Sequence, residues 1–132
     1  MRVPEYVARE LEGLAAIHVA TRDASLAPDE VMAAAAVLSG DGERLTVYLP
    51  DATSATSLAN LRENGAIAVA LSAPLTHRTV QLKGRAEEVR PAREDEREAV
   101  LRHAASFDAQ VETIGLPPAF VRRRAKWPCH AV

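Results

Sequence analysis

The chain has 132 residues, enough for one domain with one core and too few for two. Its 16 Lys+Arg against 18 Asp+Glu leave a net charge of -2, and only 4% of residues are aromatic. With neither a basic field nor stacking platforms, nucleic acid is excluded as a partner. The lone Cys129 rules out an internal disulfide and a multi-cysteine zinc site.

The single cysteine fits a reducing compartment, and with no signal pattern and no apolar run near the roughly 20 residues that span a bilayer, the expectation is a cytoplasmic protein with no membrane partner. Although 48% of residues are hydrophobic, many are alanine, so the core must be built from small and branched aliphatic side chains.

Pro4 suits the first turn of a short helix with Val7, Leu11 and Leu14 at helical spacing and Gly13 as a stop. Residues 15–21 then read as a strand, and the polar DASLAPD segment as a turn containing Pro28. The run 31–38, VMAAAAVL, has no polar alternation; periodicity cannot separate buried strand from short helix, and its flanking turns favour strand. Ser39-Gly40-Asp41-Gly42 is a hairpin turn into a strand in which Leu45, Val47 and Leu49 alternate with Thr46, Tyr48 and Pro50.

DATSATSLANLRENG begins with capping residues, spaces Leu58 and Leu61 for a helix, and ends in Asn64-Gly65, a left-handed C-cap pair. Ile67, Val69 and Leu71 mark the next strand. In residues 76–89, Val80, Leu82, Gly84 and Ala86 share one parity and Thr79, Gln81, Lys83 and Arg85 the other, so this strand packs one face, and Val89 marks its end or a bulge. Val100, Ala104, Phe107 and Val111 give the longest helix, over about 94–113, opened by the acidic Glu94-Asp95-Glu96. Gly115 and the prolines break it, a second helix is predicted over 120–126 with the basic RRRAK run as its solvated face, and 127–132 reads as entry into a strand that is cut short.

The order GLAAIHVATRD, RLTVYLP, TSLANLRENGAIAVALS, RTVQLKGRAEEV resembles the pyridoxamine 5'-phosphate oxidase-like family of flavin-binding split barrels, from about Leu14 onward. The resemblance implies a mainly β single domain over 1–132, a six-stranded antiparallel Greek-key barrel with flanking helices. It also implies a homodimer holding flavin mononucleotide (FMN) in grooves between subunits. Carried onto this sequence, the cofactor positions are Tyr48, Leu49, Thr53, Ser54, Thr56, Ser57, Arg78 and Thr79.

Two departures weaken the cofactor expectation. The oxidase's Arg and Lys on the second strand correspond to residues 32–38, which hold no cation, and its Arg-Lys pair at the following helix corresponds to Thr56 and Ser57. A phosphate close to a dianion then relies on hydroxyls, the free N–H groups of a helix start and Arg78, so FMN is expected to be held weakly or lost. Pyridoxamine 5'-phosphate oxidase activity is not expected. A flavin-dependent oxidoreductase of unspecified small-molecule substrate is the first reading. The alternative is a flavin-free binding module of the same fold that takes haem or another ligand, or acts through its dimer.

The residues themselves support blander roles too. Ser and Thr cap helices with or without phosphate, Arg78 can pair with surface acids, and Trp127 is either a lid or a packing residue. His18, His77, His103 and His130 show no metal-ligand spacing, His103 reading as a structural histidine beside the helix stripe and Cys129 as core. No phosphate loop, nucleophile elbow or triad is present, so no catalytic residue is assigned and redox chemistry would come from a cofactor.

Overall fold

A computed structural model describes residues 2–12 and 15–132. Helix α1 (Glu5–Glu12) is amphipathic and buries Val7 and Leu11, while Gly13 and Leu14 lie outside the described residues. Strands β1 (Ala16–Arg22), β2 (Pro28–Met32), β3 (Ala35–Leu38) and β4 (Leu45–Pro50) follow, then α2 (Ala55–Asn64), β5 (Ala66–Ser72), β6 (Thr79–Arg85) and β7 (Arg90–Pro91). A 3-10 turn (Glu94–Glu96) leads into α3 (Arg97–Thr113), and α4 (Pro118–Val121) and β8 (Cys129–Ala131) complete the described elements.

The strands form two antiparallel four-stranded sheets, ordered β2-β1-β5-β6 and β3-β4-β8-β7. This departs from the six-stranded barrel that the resemblance implies. The two extra strands arise because residues 31–38 divide between the sheets and because Arg90–Pro91 pairs with β8. Residues 31–38 are not one strand: the chain leaves the first sheet where Ala33 N–H donates to Ile17 O at 2.8 Å and joins the second where Ala34 N–H donates to Tyr48 O at 2.9 Å. Ala33, Ala34, Ala35 and Ala36 are all buried. A segment that serves two sheets in turn is covered on both sides, which removes polar alternation, and only small side chains fit such a corner.

Pro28 stands at the start of β2 rather than in the turn, a strand-end position that tolerates its missing N–H. The turn before it is closed by Asp23, whose carboxylate accepts from the Ser25 and Ala27 N–H groups. In the β3–β4 hairpin Gly42 takes the positive φ of 74°. Gly65 does the same at 69° as the C-cap of α2, its N–H donating to Leu61 O.

Ile17, Val19, Val47, Leu49 and Leu71 fill the space between the sheets, and the stripe Val100, Ala104, Phe107 and Val111 of α3 is buried as its spacing predicts. Each such aliphatic side chain contributes about 1.5–3 kcal/mol when fully buried.

The helix predicted over 120–126 is shorter than expected, ending at Val121. Arg122 turns back to Glu112 at 3.1 Å and Arg124 to Asp108 at 3.2 Å, so the basic run folds against α3 instead of forming a solvated helical face.

Strand β6 keeps the predicted parity: Val80 and Leu82 are half-buried against the core, while Thr79, Gln81, Lys83 and Arg85 are exposed. It is an edge strand, so its packed face is covered only in part. Leu82→Asp is therefore expected to cost about 1–2 kcal/mol in urea denaturation and Gln81→Asp less than about 0.5 kcal/mol. Equal losses would mean that the exposed face is covered in solution.

Candidate functional site

The chain enters α2 directly from β4, which places Tyr48, Leu49, Thr53, Ser54, Thr56 and Ser57 along one stretch ending at a helix N-terminus. Their side chains do not share one space. Leu49 is completely buried in the main core. Tyr48 faces the other way, into a cluster with Ala35, Val100, Cys129 and Ala131.

The Tyr48 hydroxyl donates to Glu96 Oε1 at 3.0 Å. Burial and that carboxylate push the phenol up to about 12. Glu96 is gripped by both Arg90 guanidinium nitrogens at 2.8 Å and by the Arg93 N–H at 2.7 Å. Arg90 holds its carboxyl down at about 2.

At the α2 start, Ser54 stands at the N-cap with its hydroxyl buried, making no cap bond and having no partner among the described residues. Ser57 is equally buried and donates to Asp29 Oδ2 at 2.6 Å. Thr53 and Thr56 are exposed. A phosphate approaching this helix start meets two exposed threonines, one orphaned hydroxyl behind them and the Asp29 carboxylate, which repels it. Neither Asp29 nor the Arg90–Glu96 pair was singled out from sequence as a neighbour of these positions, because nothing local links Asp29 to Ser57, 28 residues away, or Glu96 to Tyr48, 48 residues away.

Arg78 and Thr79 are exposed at the start of β6, where the Thr79 and Ser72 hydroxyls lie 2.7 Å apart. Ser72 is opposite Ala16 on β1, whereas Asp29 is opposite Thr21 on the same strand. Five residues of strand separate these points, about 16 Å along β1, and β6 and β2 are the two outer strands of the sheet. One chain therefore places Arg78 and Thr79 at the opposite corner of the sheet from the α2 start. A site using both must draw them from two copies.

Trp127 is half-buried against the Tyr48 cluster. Cys129 is buried, donates its thiol hydrogen to Lys126 O at 2.8 Å, and is pushed up to about 12 by burial. His18 pairs with Glu30 at 2.5 Å and His130 with Asp51 at 2.7 Å. Among the described residues, no group of three or more His, Cys, Asp or Glu is arranged to hold a metal ion.

A groove of about 1000 Å³ lies between α1, the β3–β4 hairpin and α3. His103 lines it, half-buried, with Nε2 buried and without a partner among the described residues. Burial lowers its pKa. The sequence reads it as a structural histidine, partly buried or at the surface; it is half-buried, and its place in a groove depends on α1 and β3, which lie far away in the chain.

No family model matches the chain. No curated protein sequence matches it either. Among solved structures, HupZ of Group A Streptococcus aligns over 98% of this chain and 86% of its own, with a TM-score of 0.56 at 15% identity. HutZ, described as the heme storage protein from Vibrio cholerae, aligns over 99% of this chain and 88% of its own, with a TM-score of 0.51 at 14% identity. No helix among the described residues is long and apolar enough to cross a membrane. At these identities the likeness is one of fold, and the chain is a mainly β protein of the split-barrel type, with two antiparallel sheets and flanking helices.

Proposed function

We propose that this chain is a flavin-free binding module of the split-barrel fold, acting as a homodimer, whose ligand is haem. The observation that carries this reading is the Ser57–Asp29 contact of 2.6 Å. It commits one hydroxyl of the helix start to a carboxylate, where FMN would need donors for a dianion. Together with the missing cations, this removes most of the charge-assisted bonds to phosphate, each worth about 1.5–3 kcal/mol. The likeness in fold to HutZ supports haem as the ligand class, and a groove of about 1000 Å³ with Val3, Pro4, Ala8 and Leu11 in its lining has room for a large, mostly apolar molecule.

A flavin-dependent oxidoreductase remains the second reading, favoured by the orphaned Ser54 hydroxyl at the α2 start. In that case Arg78 and Thr79 of one copy would complete the site on the other.

Parallel absorbance titrations with hemin and FMN, run on protein whose mass is followed by sedimentation, separate the two. The expected result is a saturable Soret band with hemin, FMN binding in the micromolar range or weaker, and a particle of roughly twice 14.2 kDa. FMN binding tighter than hemin would reverse the ranking, and a monomer would remove any site shared between copies.

A further inference from the structure

Three elements wall the groove with mostly small or aliphatic side chains: Val3, Ala8 and Leu11 from α1 and the residues before it, Val37 and Leu38 from β3, and Ala99 from α3. Val37 is 44% exposed, so the walls present apolar surface to solvent. Two guanidinium groups, those of Arg2 and Arg102, stand among these walls against one carboxylate, that of Glu5, which lies 3.8 Å from Arg9. Arg102 makes no ion pair among the described residues. Arg2 runs across Gly42, where a Cβ would meet its Cγ at 3.3 Å, so the glycine leaves room for the Arg2 stem at the groove wall.

The same walls serve a metal poorly. His103 supplies their one imidazole, and Nε2, its nitrogen farther from the backbone, is buried out of reach of an ion in the groove. No cysteine, methionine or tyrosine among the described residues lines the groove. A metalloporphyrin carries two kinds of handle, the metal at its centre and the propionate carboxylates at its rim, set on a broad apolar ring. The aliphatic walls match the ring, and the arginines match the carboxylates as planar, charge-assisted donors. The imidazole does not present its outer nitrogen to the metal.

We infer that the groove between α1, β3 and α3 takes a porphyrin by its ring and propionates, independently of the metal, so that its ligand class is the porphyrin dicarboxylate with or without iron. Arg102 and Arg2 are the partners of the carboxylates. The inference rests on the haem reading above and narrows it: the iron has no ligand from His103, and the ligand lies within one chain rather than between two.

The test is absorbance titration of the parent with hemin and with iron-free protoporphyrin IX, repeated on Arg102→Glu, Ala99→Trp and His103→Gln, with thermal melts to confirm that each is folded. Arg102 is exposed, so its reversal of charge leaves the core untouched, and Ala99 lines the groove, so tryptophan there fills the space. The expected result is that the two porphyrins bind the parent within about threefold of each other, that Arg102→Glu and Ala99→Trp weaken both by about tenfold or more, and that His103→Gln keeps the parent's affinity and hemin spectrum. Hemin binding at least tenfold tighter than protoporphyrin IX, or a folded His103→Gln with weakened hemin binding and a shifted band, would overturn the metal-independent seat while leaving the haem reading intact. Parent-like binding by both Arg102→Glu and Ala99→Trp would place the porphyrin outside this groove and overturn the assignment in the same way. Absence of binding of either porphyrin by the parent would overturn the haem reading and this inference with it.

Discussion

Replacing Arg124 and Lys126 together by alanine is expected to cost about 3–5 kcal/mol, the range for stranding a buried charge by removing its partner. Asp108 is only 3% exposed, and both cations bond to its carboxylate, Arg124 at 3.2 Å and Lys126 more closely. Arg124 also lies over the Phe107 ring, 5.5 Å from its centroid. Either cation alone can still neutralise Asp108, so each single variant should lose less than half of the combined effect. Urea denaturation measures the difference, and Asp108→Asn added to the double variant should recover part of the loss by removing the buried charge. A double-variant loss under about 1 kcal/mol would mean that water already reaches Asp108. For a domain whose whole stability is about 5–15 kcal/mol, the expected loss is a large fraction.

Glu96→Ala is expected to cost about 2–3 kcal/mol at neutral pH, since it leaves the half-buried Arg90 with only the Glu88 carboxylate at 3.6 Å and the Tyr48 hydroxyl and the Arg93 N–H without an acceptor. The same network predicts an acid transition. Glu96 is held at about 2 in the folded chain, first by the Arg90 hydrogen bonds, against an ordinary value of 4.5. A carboxyl depressed on folding contributes stability that is fully present above about 4.5 and is lost as pH falls through that window toward 2. Solvent screening trims the contribution to about 1–3 kcal/mol. Denaturation midpoints measured from pH 6 to pH 2 should fall more steeply in the parent than in Glu96→Gln. Parallel curves would show that other carboxyls govern the acid transition.

Local pattern in the sequence was enough for several elements. The alternation from Thr79 to Arg85 specified which face of β6 packs, because neighbouring strand residues point to opposite sides whatever lies beyond them. Val100, Ala104, Phe107 and Val111 specified the buried stripe of α3, and Asn64-Gly65 the end of α2, since each rests on one element's own geometry. Order along the chain was likewise enough to suggest the split-barrel class.

Tertiary structure decided what depends on partners distant in sequence. Residues 31–38 divided into two strands because Ile17 and Tyr48 offered carbonyls in different sheets. The basic run after α4 left the helical path because Glu112 and Asp108 lie within reach of it, a competition that no local propensity records. The hydroxyls before and within α2 were readable as cap or phosphate donors, yet Asp29, brought in by β2, claims Ser57. His103 became a groove residue only when α1 and β3 formed the opposite wall. A hydrophobic stripe is written into consecutive residues, whereas a site requires side chains from distant segments to meet, and those meetings are fixed only when the sheets and helices pack.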